Sequence, residues 1–317
     1  MAHRVGIIGL GTVGSRFVDQ FNSHDAFDLV AAWDIDSEAC AAHESTVRIA
    51  SDSNAVIAES DLVYVAVPPF HHAQYVLDCL KAETAIFCEK PLGIDLPSSR
   101  QLVRAVEQSG LPAGVNFVFS SAPSATTLQE KIANKELGDL VRADLRLHFS
   151  QWPRAWHDKA QWLRLRDQGG WIREVVSHFI FLAHRLVGEI RLESGYVDYE
   201  DGPEGSLCEQ TALAQFSSSS IPVSLAGTSI GAGSDVVDLT VRGEAGALRI
   251  WDWYRLQESG LDDWVDLFSS TREQLGVDAY LAQLTQLDQM MRGHEHTIAT
   301  FREALLVQEC VESLITG

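Results

Sequence analysis

The chain has 317 residues, of which 46% are hydrophobic and 21% charged, so it is long enough for two domains and has the composition of a globular protein. Its 24 basic and 44 acidic side chains give a formal net charge of −20, which makes nucleic acid and anionic membrane surfaces unexpected partners. The five cysteines have no CxxC spacing, no apolar run is long enough for a membrane span, and the opening residues lack a secretion signal, so we expect reduced thiols and a cytoplasmic protein.

The first predicted elements, in residues 3–21 (HRVGIIGLGTVGSRFVDQF), form the strand–turn–helix pattern of a dinucleotide-binding site. A buried strand is predicted over residues 5–10, and Gly9, Gly11 and Gly14 have GxGxxG spacing. Gly9 permits a tight turn, Gly11 lets the backbone approach a pyrophosphate, and Gly14 lets the helix pack close to the strand. The free N–H groups at the start of this helix then hold the phosphates.

The second predicted strand, FDLVAAW over residues 27–33, is followed directly by Asp34, twenty residues beyond Gly14. A carboxylate at this place accepts hydrogen bonds from the ribose 2′-hydroxyl of NAD and repels the 2′-phosphate of NADP. The stretch DIDSEA contains no arginine that would bind such a phosphate. The sequence therefore favours NAD over NADP, and the alternative for Asp34 is a helix N-cap.

Strand and helix patterns continue to alternate as far as residue 119, which predicts a parallel sheet wound on both faces by helices. The further predicted strands are STVRIA (45–50), SDLVYVAVPP (60–69), TAIFCEK (84–90) and PAGVNFVF (112–119), and the further predicted helices are FHHAQYVLDCLKA (70–82) and SRQLVRAVEQSG (99–110). Ligands of such sheets bind beyond the carboxyl ends of the strands, where we expect Pro68, Pro69, Glu89, Lys90 and Asn116.

The stretch AIFCEKPLGID, residues 85–95, ends a buried strand in Glu89, Lys90 and Pro91. An ammonium group beside a nicotinamide and a substrate oxygen can hydrogen-bond the hydroxyl and stabilise the alkoxide that develops. Glu89 would offset part of the cost of burying that charge, and Pro91 would fix the backbone. The alternative is a solvated Glu89–Lys90 pair at a strand end.

Beyond residue 119 the pattern changes to strands separated by Gly, Ser and Pro turns, which indicates a second domain. The predicted strands include EQTALAQF, IPVSLAGTSI, DVVDLTVRG and GALRIW, with SSSS (217–220) as a turn, and two amphipathic helices close the chain. We therefore place a dinucleotide-binding Rossmann domain in residues 1–119 and a second domain in residues 120–317. His294 and His296 have no matching ligand cluster and are interpreted as loop residues, so no metal site is expected.

The segment GGWIREVVSHF, residues 169–179, predicts a helix that carries Glu174 and His178 at i and i+4, so both side chains project from one face. Histidine is the natural proton acceptor for the oxidation of an alcohol near neutral pH. Gly169 and Gly170 would let the backbone approach a ligand closely. The alternative for His178 is a core histidine bonded to the backbone.

The segment SQWPRAWHDKAQWLRLRDQGGW, residues 150–171, is unusually rich in tryptophan and arginine. One hypothesis is that it lines a substrate pocket, with aromatic rings stacking on a ring of the substrate and an arginine binding a carboxylate or phosphate. The candidates in and directly after this segment are Arg154, His157, Trp171 and Arg173. The alternative is a packed loop with surface arginines, or a contact between subunits.

These motifs resemble the Gfo/Idh/MocA family, which is named after glucose–fructose oxidoreductase, inositol dehydrogenase and rhizopine catabolism. The resemblance lies in GIIGLGTVG, DIDSEA, VAVPPFHHAQYV, CEKPLGID, LGDLVRADLRLHFS and GGWIREVVSHFIFLAHRLVG, and so covers nearly the whole chain. It implies a Rossmann domain followed by an α+β domain for substrate binding and oligomerisation, whose mostly antiparallel open sheet commonly forms a dimer or tetramer interface. It also implies reversible hydride transfer between NAD(P) and a hydroxyl carbon of a sugar, polyol or related compound.

The resemblance also implies roles for individual residues. Lys90 would be a catalytic or substrate-positioning group and His178 the acid/base, with Glu174 where the family usually has aspartate. The residues expected around the cofactor are Gly9, Gly11, Thr12, Val13, Gly14, Asp34, Val67, Pro68, His72, Glu89, Lys90 and Asn116. Those expected around the substrate are Lys90, Arg154, His157, Trp171, Arg173, Glu174 and His178.

Two other functions stay open. A redox-neutral lyase or glycosidase would use tightly held NAD to oxidise and later re-reduce its substrate, and a regulator would bind the dinucleotide as a signal. A pure sensor needs neither Lys90 nor His178, so the sequence favours an enzyme. The expected assembly is a homodimer or homotetramer through the C-terminal sheet.

Overall fold

The computed structural model describes residues 2–157, 160–200 and 206–317, and the chain forms two compact units. The first comprises Met1–Phe117 with Leu281–Leu305, and the second comprises Val118–Tyr280 with Leu306–Gly317. The division into domains at residue 119 stays a prediction, because a compact unit is not by itself an independently folding domain.

The first unit is built on a five-stranded parallel sheet. Its strands are β1 (His3–Ile8), β2 (Phe27–Trp33), β3 (Leu62–Val65), β4 (Ala85–Glu89) and β5 (Ala113–Asn116), and its helices include α1 (Thr12–Asn22), α2 (Ser37–Ala41), α3 (Ser53–Glu59), α4 (His72–Lys81) and α5 (Leu96–Ser109). The strand order is β2-β1-β3-β4-β5 and every pair is parallel. This is the Rossmann-like sheet that the alternating pattern predicts.

Apolar strands and a group of packed phenylalanine and tyrosine rings hold this sheet together. All residues of β3 and β4 are buried, which is why they read as continuous apolar runs in the sequence. The rings of Phe17 and Phe21 on α1 lie 4.3 and 6.1 Å from that of Tyr64 on β3, and Tyr64 stacks on Phe87 of β4 at 5.4 Å. These rings therefore pack α1, with the glycine turn before it, against the centre of the sheet.

The strand predicted from STVRIA, residues 45–50, is wrong. Only Ile49 forms a bridge, and its partner is Ala32 on β2. The backbone of Ala32 donates to the carbonyl of Arg48 and accepts from the N–H of Ala50, both at 2.9 Å. The chain meets the sheet edge at this one residue and then turns into α3, so the sheet of the described residues has five strands and not six.

The second unit contains an eight-stranded, mostly antiparallel sheet. Its strands are β6 (Leu140–His148), β7 (Arg191–Tyr199), β8 (Glu209–Ser217), β9 (Pro222–Thr228), β10 (Val236–Gly243), β11 (Ala247–Trp251), β12 (Arg255–Ser259) and β13 (Val265–Asp266). Their order is β13-β12-β11-β10-β6-β9-β8-β7, with β6 and β9 parallel and the other neighbours antiparallel. The predicted fold class is confirmed.

Helices complete both units. The second unit holds α6 (Pro123–Ala133) and α7 (Ser177–Val187), while α8 (Arg272–Met291) and α9 (Phe301–Thr316) contribute residues to both units. On the covered face of the eight-stranded sheet, Leu145 of β6 lies beside Phe179 and Ile180 of α7. The SSSS turn is confirmed, because β8 ends at its first serine and β9 begins directly after Ile221.

The C-terminal part of the chain is tied into the first unit by polar contacts. The N–H of Val115 donates to the carbonyl of Ala299 at 2.8 Å, and the His3 ring contacts the Asp288 carboxylate at 2.9 Å. The predicted loop that carries the two histidines near residue 295 lies between α8 and α9. Within the described ranges, no helix is both long and apolar enough to cross a membrane.

All five cysteines are buried and free, in keeping with the expected reduced thiols. Burial raises the pKa of the Cys79, Cys208 and Cys310 thiols to about 12. These three side chains are therefore protonated and act as small apolar residues, not as nucleophiles.

Candidate functional site

The glycine turn after β1 meets the requirements of a phosphate-binding loop. Gly9 has φ +99°, and a Cβ there would lie 2.5 Å from the Ala66 carbonyl oxygen. A Cβ on Gly14 would lie 1.9 Å from the Gly9 carbonyl oxygen, so α1 can pack this close only with glycine. A Cβ on Gly11 would meet nothing within 4 Å, so the backbone there is open to an approaching ligand.

Helix α1 begins at this turn with its first N–H groups outside the intrahelical ladder. The first hydrogen bond of the helix joins the Ser15 N–H to the Gly11 carbonyl at 2.9 Å, and the Ser15 hydroxyl donates to the Leu10 carbonyl at 2.8 Å. Gly11 is the N-cap and has no side chain to cover the helix end. The N–H groups of residues 12–14 and the positive end of the helix dipole therefore suit a phosphate.

Asp34 lies at the end of β2, beside the glycine turn. One carboxylate oxygen accepts from the Leu10 N–H at 2.6 Å, and the other accepts from the Asp36 N–H at 2.8 Å. Each oxygen keeps a second lone pair, which can accept a ribose hydroxyl. The alternative of a helix N-cap is wrong for Asp34, because the N-cap of α2 is Asp36, which accepts from the Glu38 N–H.

A buried hydrogen-bond network lies where β3, β4 and β5 adjoin. Asn116 donates its amide to the Tyr64 oxygen at 3.0 Å and to the Glu89 carboxylate, and the Tyr64 hydroxyl also donates to Glu89. The backbone N–H of Lys90 donates to the second oxygen of Glu89 at 3.2 Å. Glu89 and Lys90 are 7% and 9% exposed, so the alternative of a solvated pair is wrong.

His72 supports the same end of the sheet from α4. It is fully buried, and its Nε2 donates to the Val67 carbonyl at 2.8 Å. Burial lowers the pKa of His72 to about 4, so the ring is neutral. The hydrogen bond to Val67 ties α4 to the segment that follows β3, while the neighbouring His71 is exposed.

The residues predicted around the cofactor all lie in the first unit, at the carboxyl ends of its parallel strands. The glycine turn follows β1, Asp34 follows β2, Val67 and Pro68 follow β3, Glu89 and Lys90 stand at the end of β4, and Asn116 ends β5. This is the edge where ligands of doubly wound sheets bind.

In the second unit, the segment before α7 is a π-helical turn, Ile172–Val176, where the sequence predicts a plain α-helix. The turn carries Glu174, and His178 follows in the first turn of α7. Glu174 is partly exposed among buried neighbours, and His178 is 9% exposed. Single π-helical turns inside helices are frequent at functional sites.

Glu209 on β8 explains why the chain needs glycine before this turn. Its carboxylate accepts from the Ile172 N–H at 2.6 Å, and a Cβ on Gly170, which has φ +98°, would lie 2.4 Å from that carboxylate. A Cβ on Gly169 would lie 2.4 Å from the Trp162 carbonyl oxygen. The prediction that these glycines admit a ligand is therefore corrected, because they admit other parts of the same chain.

Trp171 and Arg173 have structural contacts that remove them from the candidate substrate site. Trp171 is fully buried, and its indole N–H donates to the Glu209 carbonyl at 2.9 Å. Arg173 forms a two-pronged ion pair with Glu312 at 2.7 and 2.8 Å and donates to the carbonyls of Arg166 and Gly169. Four of its five N–H donors are thereby used inside the unit, which corrects its predicted substrate role.

Arg154 lies among four aromatic rings, which we call the aromatic cluster. Its guanidinium carbon is 4.7, 5.2, 5.4 and 5.7 Å from the ring centres of Trp156, Phe149, Trp253 and Trp152. Burial lowers the pKa of Arg154, while the negative charges of Glu174 and Asp235 raise it. The guanidinium is held by ring faces and by charges at a distance.

Both histidines predicted around the substrate adjoin this aromatic cluster. The His157 ring lies 3.7 Å from that of Trp156, and the His178 ring lies 6.1 Å from that of Trp253. Phe119 flanks His178 at a further 6.1 Å contact. The second unit thus brings Arg154, His157 and His178 to one aromatic cluster.

Two residues of these sites are missed by the sequence interpretation. Trp253 stands in the hairpin turn between β11 and β12, and the available signal is the aromatic-rich stretch WDWY in a strand region. Ile35, directly after Asp34, is 88% exposed and is available to contact a ligand bound at this edge, and the signal is one apolar residue inside the polar stretch DIDSEA. In the described parts of the chain, no three His, Cys, Asp or Glu residues are grouped to hold a metal ion.

Comparison with known proteins finds a family match for residues of the first unit. Residues 3–117 match the family model GFO_IDH_MocA, described as an oxidoreductase family with an NAD-binding Rossmann fold. The chain is similar to 2,7-anhydro-N-acetylneuraminate hydratase of Escherichia coli K12, with 21% identity over 190 residues, which are 58% of this chain and 50% of that protein. It is also similar to inositol 2-dehydrogenase of Corynebacterium glutamicum, with 29% identity over 145 residues, which are 44% of this chain and 43% of that protein. The chain spans about half the length of the curated relatives it matches.

A solved structure shares the fold over the whole chain. The WlbA dehydrogenase of Bordetella pertussis, in complex with NADH and UDP-GlcNAcA, has a TM-score of 0.83 and covers 99% of this chain and 94% of its own. The two sequences are 19% identical, so the likeness shows a shared fold, and the ligands of that structure are not assigned to this chain.

Proposed function

Because residues 3–117 match the model of the Gfo/Idh/MocA oxidoreductases with their NAD-binding Rossmann fold, we propose that the chain is an NAD-dependent dehydrogenase or reductase. The reaction is hydride transfer between the nicotinamide and a hydroxyl or carbonyl carbon of a sugar, polyol or related small molecule. The observation that carries the proposal is the arrangement at the carboxyl edge of the parallel sheet. There the open glycine turn, Asp34 and the buried Glu89–Lys90 pair follow strands of the same sheet.

The residues of the first unit fit a dinucleotide. The N–H groups of residues 12–14 would hold the pyrophosphate, and the open backbone at Gly11 would let it approach. Asp34 would accept the ribose hydroxyls and repel a 2′-phosphate, which favours NAD over NADP. The nicotinamide, when bound, supplies the hydride acceptor or donor, and Val67, Pro68, His72, Glu89, Lys90 and Asn116 support the segments around it.

Lys90 is the proposed group that polarises the substrate oxygen. Its ammonium would hydrogen-bond the hydroxyl in the ground state and stabilise the negative charge that develops when the hydride leaves. Glu89 fixes the backbone at Lys90 through the 3.2 Å hydrogen bond and places a negative charge next to the lysine in sequence. The two buried groups offset part of each other's desolvation cost.

His178 is the proposed acid/base. In the oxidation direction it would take the hydroxyl proton, and in the reduction direction it would return it. Glu174, four residues earlier, would orient the substrate or support the charge of the imidazolium. Arg154 and His157 are the remaining proposed substrate contacts, and both adjoin the aromatic cluster near His178.

A redox-neutral enzyme that keeps its NAD bound is the second candidate. The observation that favours it is the similarity to a protein named as a hydratase, an activity without net oxidation. The two candidates share Asp34, Lys90 and His178 and differ in whether free NADH accumulates. A dinucleotide-sensing regulator is less favoured, because it needs neither Lys90 nor His178.

We also propose that the chain assembles as a homodimer or homotetramer through the open face of the eight-stranded sheet. The register places Tyr196, Leu213, Ala226 and Arg146 in one row across β7, β8, β9 and β6. Tyr196 and Leu213 are 57% and 50% exposed. Large exposed apolar side chains in a row across a sheet favour an interface.

A panel of polyols, sugars and sugar acids, offered with NAD or NADP, tests the function. The expected result is reduced nicotinamide that accumulates with NAD on at least one substrate, in equal amount to the oxidised product. Product formation without net reduced nicotinamide would instead establish the redox-neutral candidate. Tight binding of dinucleotide without any conversion would contradict both enzymes and favour the regulator.

A further inference from the structure

Arg154 is a partly buried cation with no ion pair among the described residues. Its Nε is buried and has no hydrogen-bond acceptor among these residues. The side chain as a whole keeps partial exposure, so a small molecule can reach it. A buried charge is costly unless it is paired, and ring faces compensate only part of that cost.

Among the described residues, the charged groups that act on Arg154 do so from a distance. Glu174 and Asp235 attract its charge from a distance, and the positive charge of Arg272 opposes them. Asp235 also accepts the N–H of Ser150 at 3.4 Å. Arg173, a buried arginine of the same unit, shows the contrasting case, because Glu312 neutralises it with two hydrogen bonds.

Trp253 links Arg154 to the proposed acid/base. Its ring lies 5.4 Å from the Arg154 guanidinium carbon and 6.1 Å from the His178 ring. Asp252 and Trp253 have φ +46° and +71°, a conformation that a bulky side chain adopts only where the surroundings enforce it. The backbone of this turn is therefore held in an unfavourable conformation, which places the Trp253 ring near both the arginine and the histidine.

We infer that Arg154 is an anchor for an anionic group of the substrate, a carboxylate or a phosphate carried on a sugar-like ring. A guanidinium in a water-poor aromatic surround forms short, charge-assisted hydrogen bonds to such oxygens. A substrate whose hydroxyl reaches His178 presents its acidic group to Arg154 along the Trp253 ring. This inference rests on the proposed dehydrogenase and narrows its substrates to acidic ones.

The test compares wild type with Arg154→Gln and Arg164→Gln. Arg164 lies in the same tryptophan- and arginine-rich segment but is exposed, so its variant controls for the loss of one positive charge. Each protein is given D-glucose, D-glucuronate and D-glucose 6-phosphate with NAD, and the melting temperature of each protein is measured with and without these sugars.

The expected result is a kcat/KM for at least one acidic sugar that is about tenfold or more above that for glucose, the size expected for one charge-assisted contact. Arg154→Gln abolishes this preference through KM, Arg154→Lys restores part of it, and Arg164→Gln keeps it. Preference for glucuronate assigns a carboxylate, and preference for glucose 6-phosphate assigns a phosphate. A wild type that prefers glucose, or an Arg154→Gln variant that loses activity equally on all three sugars, overturns the inference.

The melting temperatures keep the inference separate from the proposed function. Should none of the sugars be oxidised, an acidic sugar that stabilises wild type and Arg164→Gln more than glucose does, but not Arg154→Gln, supports the anchor without the reaction. Equal shifts in all three proteins overturn the anchor, whatever the outcome for the dehydrogenase.

Discussion

The carboxylate of Asp34 holds the glycine turn and faces the place proposed for the adenosine ribose. Its hydrogen bonds to the N–H groups of Leu10 and Asp36 fix it there without using all its lone pairs. A negative charge at this place repels a 2′-phosphate, whereas it accepts a hydrogen bond from a 2′-hydroxyl. We therefore expect the choice between NAD and NADP to depend on this single side chain.

Asp34→Asn tests this dependence. Asparagine keeps an acceptor for the Leu10 N–H but removes the charge, so we expect the ratio of kcat/KM for NADP to that for NAD to rise by about tenfold or more. Asp28→Asn, an exposed change on the same strand, is the control and should leave the ratio unchanged. An unchanged ratio in Asp34→Asn would show that another residue sets the preference.

Glu89 satisfies three buried donors, which come from Tyr64, Asn116 and Lys90. Glutamine has the same size but offers one acceptor oxygen, so at least one donor loses its partner. We expect Glu89→Gln to lower the free energy of unfolding by about 2 kcal/mol, measured by urea denaturation. The exposed Glu44→Gln should change it by less than about 0.5 kcal/mol. Equal stability of both variants would contradict the network.

At the scale of elements, the π-helical turn depends on a carboxylate from a distant strand. Burial raises the pKa of Glu209 to about 7, from an ordinary 4.5, while hydrogen bonds from backbone N–H groups and the charge of Arg173 oppose this rise. The folded state then binds more protons than the unfolded state between these values. The stability that protonated Glu209 contributes is therefore full below about pH 4.5 and is lost as the pH rises through about 7.

Glu209→Gln removes this pH dependence, because glutamine keeps an acceptor for the Ile172 N–H and cannot ionise. We expect the wild type to lose stability relative to the variant as the pH rises from 5 to 8, by up to about 1.4 kcal/mol per pH unit. His72, whose lowered pKa makes the stability increase with pH below 6.5, is present in both proteins. Its contribution therefore cancels when the two stabilities are subtracted. Melting temperatures of both proteins across this pH range measure the difference. Melting temperatures that change in parallel with pH would contradict the raised pKa of Glu209.

Local patterns predict the elements that depend on local sequence. The buried runs of β3 and β4, the glycine turn and the SSSS turn follow from residue type and spacing, and the structure has them where expected. The segment STVRIA fails, although its residues suit a strand, because pairing depends on where the chain meets the sheet edge. There only Ala32 offers its backbone groups to this segment.

Long-range contacts set the parts of the site that the sequence does not predict. Arg173 is 139 residues from Glu312, and Ile172 is 37 residues from Glu209, so neither partner is visible in the local pattern. For that reason the local sequence predicts that Arg173 and Gly170 bind a ligand, whereas in the structure they contact other parts of the same unit. Trp253 is missed for a related reason, because a tryptophan with positive φ has no turn signal of glycine or asparagine.

At the scale of the whole molecule, the open face of the eight-stranded sheet predicts assembly. We expect wild type to elute as a dimer or tetramer in size-exclusion chromatography with light scattering, and Leu213→Arg to shift it toward monomer, because a charge in place of this apolar side chain opposes burial. Ile230→Arg, an exposed change in the loop after β9, is the control and should keep the wild-type mass. A monomeric wild type would contradict this proposal.

The most direct test of the dehydrogenase is the rate of Lys90→Ala on the best substrate of the panel, with Lys81→Ala as the matched control. Lys81 is an exposed lysine on α4 whose ammonium pairs with Asp78, outside the proposed site. We predict that kcat/KM falls by roughly 10²- to 10⁴-fold in Lys90→Ala, while Lys81→Ala keeps the wild-type rate. NAD binding, measured separately, should be retained in both variants. A Lys90→Ala enzyme that keeps more than about a tenth of the wild-type kcat/KM would contradict the account, because the buried lysine would then have no part in the reaction.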